Sequence, residues 1–401
     1  MSAPRSTSDI RTASAMWTGK PAFGLRLRTM VRVGARMMFH DKLKLAGTLF
    51  GVIFAVVLTN QQVGVFLGLL SKNTMFIDHA GADLWIVPGS TETLQAGKPV
   101  PMDALYQART TPGVAWAEPL LFGGATVSLP AGGSEPVTLV GTKSPAFRGG
   151  PWNIVAGSVT ALRRPDTMIF EDSQRDQLGG LNLGSVREVN GHSTVVGGFT
   201  WGLLPFAPAY AFAEYDHARE LMGTPSDETS FVLVGVAPGA NRDSVARALQ
   251  ARVSRNLVLS APEFHSRVLR YLLVQTGIGA TTGMSTLFGL LIGLIIVSLS
   301  MFSAVIDNIR EFGTLKAIGC RNRDLALLLL VQSSVYALLG SLIGLRMVAL
   351  MVENMHSPKF ALVLPWQAYA GTPLLMVLLC GLASLLALTR IRNIEPAMVF
   401  R

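Results

Sequence analysis

The feature that most constrains this chain is a set of four long stretches that contain no charged side chain. They span residues 45–70, 271–306, 325–345 and 360–389. A helix rises about 1.5 Å per residue, so about 20 apolar residues cross the roughly 30 Å hydrocarbon core of a bilayer. Each stretch reaches that length. The sequence therefore predicts a membrane protein with four transmembrane α-helices, surrounded by membrane lipid.

The charged and polar residues between these stretches divide the chain into ten segments. We predict a mobile cytoplasmic tail (1–24), an amphipathic interfacial helix (25–44), transmembrane helix 1 (45–71), an extracytoplasmic domain (72–270), a stalk with transmembrane helix 2 (271–306), a cytoplasmic loop (307–324), transmembrane helix 3 (325–346), a short extracytoplasmic loop (347–371), transmembrane helix 4 (372–390) and a cytoplasmic tail (391–401).

The positions of Lys and Arg predict the orientation. The first 44 residues hold nine, the loop at 307–324 holds four, and the last twelve residues hold three. The segment between the third and fourth stretches holds only Arg346 and Lys359. Because Lys and Arg accumulate in short cytoplasmic loops, both termini and the 307–324 loop are predicted inside, and residues 72–270 outside. The net charge of +9 is spread rather than patched, so nucleic acid is not predicted as a partner.

Glycines recur four residues apart within the predicted spans. Such spacing lets the backbones of two helices approach closely, where apolar side chains alone gain little over lipid. We interpret the pairs as helix-packing positions within one chain, and a homodimer seam is the alternative. The pairs are Gly47 and Gly51, Gly64 and Gly68, Gly289 and Gly293, and Gly340 and Gly344.

The predicted outer segment has the pattern of a large α+β domain inserted between the first and second spans. Gly, Pro and Asn separate its short β-rich runs, and two β-rich lobes fit its length. Helices are predicted at 101–110 and 241–253, and strands at 83–87, 125–129, 137–140, 167–170, 193–196, 209–213 and 230–236.

The sequence contains no recognisable catalytic motif. It has no G-x-x-x-x-G-K-[ST] loop for a nucleotide, no H-E-x-x-H zinc motif and no G-x-S-x-G nucleophile motif. Its six histidines are scattered without metal-ligand spacing. We therefore assign no catalytic residue, no metal ligand and no cofactor bound by this chain.

The loop at 307–324 is the candidate functional segment. Seven of its eighteen residues are charged, well above the roughly one quarter of an average chain. Ile309, Phe312, Leu315 and Ile318 recur at helical steps, which predicts a short helix with one apolar ridge. A ridge of this kind docks either on the membrane surface or on a partner protein.

This loop carries a resemblance to a known family. The FtsX-like superfamily of ABC-transporter permeases, with its MacB and DevC branches, has a coupling segment E-[IF]-G-x-[LM]-[KR]-A-[IL]-G and often ends in [IL]-[DE]-P-A. The ending at 394–397, Ile-Glu-Pro-Ala, resembles that close. The order of one span, a large outer domain and three further spans is also similar, and the lack of a fused ATPase favours the DevC type. The residues similar to the coupling segment are Arg310, Glu311, Phe312, Gly313, Thr314, Leu315, Lys316, Ala317, Ile318 and Gly319.

The resemblance implies partners and a mechanism. A separate ABC ATPase dimer, which binds the ATP and Mg, would contact the coupling segments of two permease copies in a bacterial inner membrane. ATP-driven closure would move the outer domains without opening a path through the spans, a scheme called mechanotransmission. A periplasmic adaptor (a membrane-fusion protein) and an outer-membrane duct would complete an exporter. Regulation of a cell-wall hydrolase and extraction of lipoproteins are the alternative functions.

Overall fold

A computed structural model describes residues 38, 42–94, 98–203, 208–307, 309–317, 320–354 and 362–392. Four helices within these residues are long and apolar enough to cross a membrane. The chain forms two compact units. The helical unit comprises the chain up to residue 61, residues 287–351 and the chain from residue 365; the sheet unit comprises residues 62–286 and 352–364.

The described α-helices include both short helices of the sheet unit and long apolar ones. They are α1 (Lys42–His79), α2 (Met102–Arg109), α3 (Tyr215–Met222), α4 (Arg242–Arg252), α5 (Ala261–Val274), α6 (Ile278–Asp307), α7 (Ile309–Ala317), α8 (Asn322–Asn354) and α9 (Trp366–Arg392).

The described strands all belong to the sheet unit. They are β1 (Leu84–Pro88), β2 (Val100–Pro101), β3 (Val114–Ser128), β4 (Ser134–Thr142), β5 (Ile154–Gly157), β6 (Thr167–Glu171), β7 (Val186–Val189), β8 (His192–Thr200), β9 (Tyr210–Glu214), β10 (Glu228–Thr229), β11 (Phe231–Val236) and β12 (Asn256–Ser260).

Ten of these strands form one mixed sheet. Nine lie in the order β12-β1-β11-β3-β4-β9-β6-β8-β5, β7 pairs with both β3 and β8, and β2 and β10 form a separate pair. The 15-residue strand β3 pairs antiparallel with β11 and β4, whereas β4 with β9 and β6 with β8 are parallel pairs. The predicted two β-rich lobes are therefore one continuous hydrogen-bonded sheet with separate apolar cores.

One core of the sheet unit is rich in aromatic side chains. Phe76, at the end of α1, is fully buried, and its ring centroid lies 5.3 Å from that of Phe122 and 5.5 Å from that of Tyr210. Trp85 of β1 lies 5.3 Å from Phe264 of α5. Edge-to-face and tilted ring pairs at these distances add to the free energy of burial.

Local sequence sets where the helices of the sheet unit begin and end. The Asn241 side chain accepts hydrogen bonds from the backbone N–H groups of residues 243 and 244 at the start of α4. Ser260 and Glu263 form a capping box at the start of α5. Gly223 ends α3 with φ of +64°, a left-handed conformation that suits glycine. These caps satisfy backbone groups that a helix end leaves free.

The second apolar stretch is two helices rather than one. α5 ends at Val274 and α6 begins at Ile278. Gly277 lies between them with φ of +73°, a conformation outside the right-handed helical region. The first residues of the predicted stalk, 271–274, are therefore the end of α5, an amphipathic helix that belongs to the sheet unit and is not continuous with the second span.

The long helices extend beyond the predicted spans. α1 continues to His79, α8 continues past Arg346 to Asn354, and α9 begins at Trp366 with Pro373 inside it. Arginine is a good helix former, so a charge that ends an apolar stretch does not end the helix. Span boundaries and helix boundaries are different properties of the sequence.

Some predicted features lie outside the described residues, and some observed elements were not predicted. The tail at 1–24, nearly all of the interfacial helix at 25–44 and the ending at 394–397 are not among the described residues. The helix α3 and the strands β5, β7 and β12 were not predicted.

Candidate functional site

The loop between α6 and α8 contains a short separate helix, α7. Glu311 lies in its first turn and Lys316 in its last turn, where the helix dipole favours a negative and a positive charge, respectively. Thr314 Oγ1 donates a hydrogen bond to the carbonyl oxygen of Arg310 at 2.9 Å. The chain is thus helical where the apolar ridge predicts a helix.

Exposure differs around the circumference of α7. Arg310, Glu311 and Thr314 are exposed, Leu315 is half-buried and Gly313 is buried. A helix with polar residues on one side and buried residues on the other has a defined docking face. The exposed side of α7 is therefore charged, and its less exposed side includes the glycine.

Parts of the predicted coupling segment are not described. Lys316 is half-buried. Outside the described residues or side chains lie the side chains of Phe312 and Ala317, and residues Ile318 and Gly319.

Two hydrogen bonds lie on either side of the short segment between α7 and α8. The Cys320 N–H donates to the carbonyl oxygen of Leu315 at 3.0 Å. The Asp324 carboxylate accepts a hydrogen bond from the Arg321 N–H at 3.1 Å. Partial burial, and then the negative charge of Asp324, raise the pKa of the Cys320 thiol. The first hydrogen bond therefore holds Cys320 against α7, the second lies at the start of α8, and the thiol stays protonated.

The first and second spans pack through glycine. A Cβ atom added at Gly51 of α1 would collide with Ser300 Oγ of α6. A Cβ added at Gly293 of α6 would lie 3.2 Å from Thr59 Oγ1 of α1. Both glycines are buried. The absence of a side chain at these two positions lets α1 and α6 approach closely.

The third span packs against the same helix in the same way. A Cβ added at Gly340 of α8 would lie 2.5 Å from Val52 Cγ1, and one at Gly344 would lie 2.7 Å from Val56 Cγ1. Real Cβ atoms do not approach other carbon atoms so closely in a well-packed protein. α1 therefore fits between the glycine faces of α6 and α8.

The remaining paired glycines have different surroundings. A Cβ at Gly64 would lie 3.1 Å from Leu362 Cγ, whereas one at Gly47 would meet no atom within 4 Å. Gly68 and Gly289 are buried. The four-residue spacing thus includes positions in close contact and one position, Gly47, with open space.

A buried polar contact joins the first and fourth spans. Thr372 Oγ1 of α9 donates to Asn60 Oδ1 of α1 at 2.9 Å, and Asn60 Nδ2 donates to the carbonyl oxygen of Val56 at 2.8 Å. Asn60 and Thr372 are 3% and 8% exposed. Asn60 therefore makes a direct hydrogen bond between the first and fourth spans.

The C-terminal part of α1, from residue 62 onward, belongs to the sheet unit and packs into its core. We call the residues that anchor it the stalk junction: Lys72, Phe76 and Asp78 of α1, Trp85 of β1, and Phe264 and His265 of α5. The Phe76 and Trp85 ring centroids lie 6.3 Å apart. His265 Nδ1 lies 2.8 Å from Asp78 Oδ1. The helix that enters the domain and the helix that leaves it thus share one anchor.

A buried carboxylate holds the loop that α1 contacts in the stalk junction. Lys72 Nζ donates to the carbonyl oxygen of Gly202 at 2.7 Å. Glu171 accepts hydrogen bonds from the N–H of Gly202 at 2.7 Å and from that of Leu203 at 3.1 Å. Burial raises the pKa of Glu171, and these hydrogen bonds oppose that shift. Glu171 therefore holds in place the backbone of residues 202 and 203, which Lys72 contacts.

The stalk junction was not predicted from the sequence. One signal was available, because residues 71–80 contain neither Gly nor Pro, so nothing in that stretch ends the helix of the first span. The contacts of Trp85 and Phe264 join residues far apart in the chain, and no local pattern indicates them. Among the described residues, no group of three or more His, Cys, Asp or Glu side chains could hold a metal ion.

Comparison with known families decides what kind of protein this architecture belongs to. Residues 45–252 match the MacB-like periplasmic core domain, and residues 283–396 match the FtsX-like permease C-terminal region. The chain belongs to the MacB/FtsX-type family of ABC transporter permeases. With its four apolar helices, this MacB/FtsX-type permease is a multi-pass membrane protein with a large α+β domain between its first and second spans.

Relatives of this permease carry the same description. An uncharacterized ABC transporter permease of Mycobacterium bovis is 23% identical over 356 residues, which are 87% of this chain and 93% of the relative. A second uncharacterized ABC transporter permease, from Mycobacterium tuberculosis, is 26% identical over 112 residues, 27% of this chain and 31% of the relative. The family name implies an ATPase partner and a non-catalytic permease subunit.

Two solved structures resemble part of this MacB/FtsX-type permease. The periplasmic region of MacB from Actinobacillus actinomycetemcomitans aligns with 46% of this chain and 91% of its own length, at 10% identity and a TM-score of 0.37. The extracellular domain of the transporter YknZ from Gram-positive bacteria aligns with 45% of this chain and 99% of its own length, at 14% identity and a TM-score of 0.34.

Proposed function

We propose that this permease couples ATP hydrolysis by a separate ABC ATPase dimer to movement of its extracytoplasmic domain. The main support for the proposal is that α1 is one uninterrupted helix of 38 residues. At about 1.5 Å per residue it is about 57 Å long, well beyond the roughly 30 Å hydrocarbon core. Its first half contacts the glycines of α6 and α8, and its last turns lie in the aromatic core. Such a helix would carry a displacement of the membrane helices into the domain.

The stalk junction supports movement of the domain as one body. Trp85 contacts Phe76 of α1 and Phe264 of α5, so the same ring is packed against both helices that connect the domain to the membrane. Well-packed interiors transmit strain because they are hardly compressible. A shift of α1 would therefore move the sheet rather than loosen its connection to it.

The coupling segment is proposed as the contact with the ATPase. The ridge of Phe312, Leu315 and Ile318 would enter a groove on that subunit, as helices with regularly spaced apolar anchors do. Glu311 and Lys316 would flank the ridge and set its register. The separate helix α7, with its charged exposed side, supports this role.

The proposed location is a bacterial inner membrane, with the termini and α7 on the cytoplasmic side and the sheet unit outside. The bias of Lys and Arg supports that orientation. ATP and Mg would bind the ATPase partner, since this chain lacks the phosphate-binding glycine loop. A periplasmic adaptor and an outer-membrane duct would make the assembly an exporter.

A second permease copy would complete the assembly, and α6 offers the most exposed face for it. Only 17% of the most apolar part of α6 is buried, against 33–44% of the corresponding part of the other three candidate spans. Gly293, Gly340 and Gly344 already contact α1 of the same chain. We therefore propose that a homodimer uses the exposed leucines and isoleucines of α6 rather than a glycine seam.

Co-purification tests the coupling role. The experiment compares how much of the ATPase encoded with this permease is recovered with wild-type permease and with the Phe312→Asp variant. Burial of an aromatic side chain contributes roughly 1.5–3 kcal/mol, so loss of Phe312 should lower recovery about tenfold or more. Asn322→Asp, which adds the same charge in the same loop but outside the coupling segment, is the matched control and should recover the ATPase normally.

Membrane insertion of both variants is checked in parallel. Equal recovery of the ATPase with wild-type and Phe312→Asp permease, both fully inserted, would reject the coupling role and leave α7 as a helix on the membrane surface.

A further inference from the structure

One concave surface of the helical unit combines apolar walls with a positive charge at its rim. The groove has a volume of about 610 Å³, and its lining includes Leu338, Leu339, Leu342, Leu345, Arg346 and Tyr369. Leu338 is 53% exposed and Leu342 is 70% exposed. Hydrocarbon is the medium in which such leucines lie without cost.

The groove has a definite depth in the membrane. At about 1.5 Å per residue, Arg346 lies about 33 Å along α8 from Asp324, close to the roughly 30 Å thickness of the hydrocarbon core. The charged start of α8 and Arg346 therefore lie near opposite interfaces. By the same rise, Leu338 lies about 12 Å deeper than Arg346, within the roughly 15 Å that one leaflet provides.

Aromatic residues mark the same interface as Arg346. Tyr369 lines the groove and is 44% exposed, and Trp366 at the start of α9 is 75% exposed. Tyr and Trp concentrate at the level of lipid headgroups. The rim of the groove is thus at headgroup level, and its leucine walls reach into one leaflet.

We propose that this groove binds an anionic phospholipid of the leaflet that faces away from α7. One acyl chain lies along Leu338 and Leu342, and the headgroup phosphate accepts hydrogen bonds from the exposed Arg346 guanidinium. Arginine binds phosphate oxygens through two parallel N–H donors. The site requires only that α8 and α9 span a membrane, and does not depend on the ATPase contact of α7.

Native mass spectrometry of the full chain in detergent tests the site. The probes are phosphatidylglycerol and phosphatidylcholine with the same palmitoyl and oleoyl chains, added at equal concentration. Wild-type protein is expected to retain phosphatidylglycerol about fivefold more than phosphatidylcholine, the factor that one basic side chain near anionic lipid contributes. Arg346→Gln should abolish the preference. Arg346→Lys should keep part of it, because lysine retains the positive charge but lacks the two parallel donors.

Variants of the apolar wall separate the acyl contact from the headgroup contact. Leu342→Asn should lower retention of both lipids, whereas Leu382→Asn, at a residue that is 58% exposed and not in the groove lining, should leave both unchanged. Equal retention of the two lipids by the wild-type chain would overturn the proposal. A preference for phosphatidylglycerol that survives in Arg346→Gln would overturn it too. So would a dimer of this chain that carries no lipid and dissociates in Leu342→Asn, because the groove would then be a contact between two copies.

Discussion

The two units of this permease are packed in different ways, one through large aromatic side chains and the other through glycines, which have no side chain. In the sheet unit, large rings fill the core, with Phe76 and Trp85 fully buried. In the helical unit, close contact depends on the absence of side chains at Gly340 and Gly344. Many large apolar residues of the helical unit are also exposed, such as Leu342 at 70%.

The difference follows from the solvent of each unit. In water, burial of an aromatic or aliphatic side chain contributes roughly 1.5–3 kcal/mol, so large residues belong inside. In lipid the surroundings are as apolar as leucine, so helices associate through close backbone approach and a few polar contacts. α1 has both kinds of contact along one helix, with Val52 and Val56 near glycines at one end and Phe76 among rings at the other.

The largest effect is expected in the aromatic core. Phe76→Ala should lower the free energy of unfolding of the sheet unit by about 3–5 kcal/mol, because a buried ring is lost and a cavity remains. Denaturant titration of the full chain, followed by tryptophan fluorescence, measures the change. Tyr106→Ala is the control, since Tyr106 is 57% exposed. Equal midpoints for Phe76→Ala and wild type would show that α1 is not anchored in this core.

Smaller changes in stability are expected in the helical unit, where alanine should destabilise at Gly344 but not at Gly47. Gly344→Ala places a Cβ against Val56 and should destabilise helix association by about 1–3 kcal/mol. Gly47→Ala meets no atom within 4 Å and should be neutral or stabilising by about 0.5–1 kcal/mol, because alanine favours the helix. Thermal unfolding in detergent distinguishes the two. Identical shifts at both positions would contradict packing through the glycine face.

The smallest effect is expected at the polar contact between α1 and α9. A double-mutant cycle of Asn60→Ala and Thr372→Val should give a coupling energy of about 0.6 kcal/mol, typical of hydrogen bonds between transmembrane helices. The same unfolding assay measures it. A coupling energy of zero would show that this hydrogen bond does not hold the fourth span to α1.

The sequence predicts the spans and α7 because both depend on local patterns. A long uncharged stretch is apolar whatever it contacts, and the steps between Ile309 and Leu315 define a helix without reference to a neighbour. The family resemblance also rests on local motifs, and the family matches confirm it.

The remaining features depend on contacts between distant residues. Gly47 and Gly51 share one motif, yet only Gly51 lies against Ser300, and spacing cannot distinguish them. β3 is 15 residues long although Pro119 and Gly123 lie within it, because β4 and β11 pair with it on either side. Phe76 follows an apolar stretch and looks like the end of a span until Trp85 is placed beside it.

The proposed transmission of movement along α1, from the membrane helices to the domain, can be tested directly. Pulsed electron-spin resonance can measure the distance between spin labels at Ser226 in the sheet unit and Asn322 at the start of α8, with Cys320 and Cys380 replaced by Ser. The complex with the ATPase would be compared without nucleotide and with a nonhydrolysable ATP analogue and Mg.

The comparison uses Val65→Pro, which breaks the α1 hydrogen-bond ladder at a cost of about 3 kcal/mol, with Val65→Ala as its control. A nucleotide-dependent change of distance is expected in the wild type and in Val65→Ala, and none in Val65→Pro, although the ATPase still binds nucleotide. The same change of distance in Val65→Pro would contradict transmission through α1.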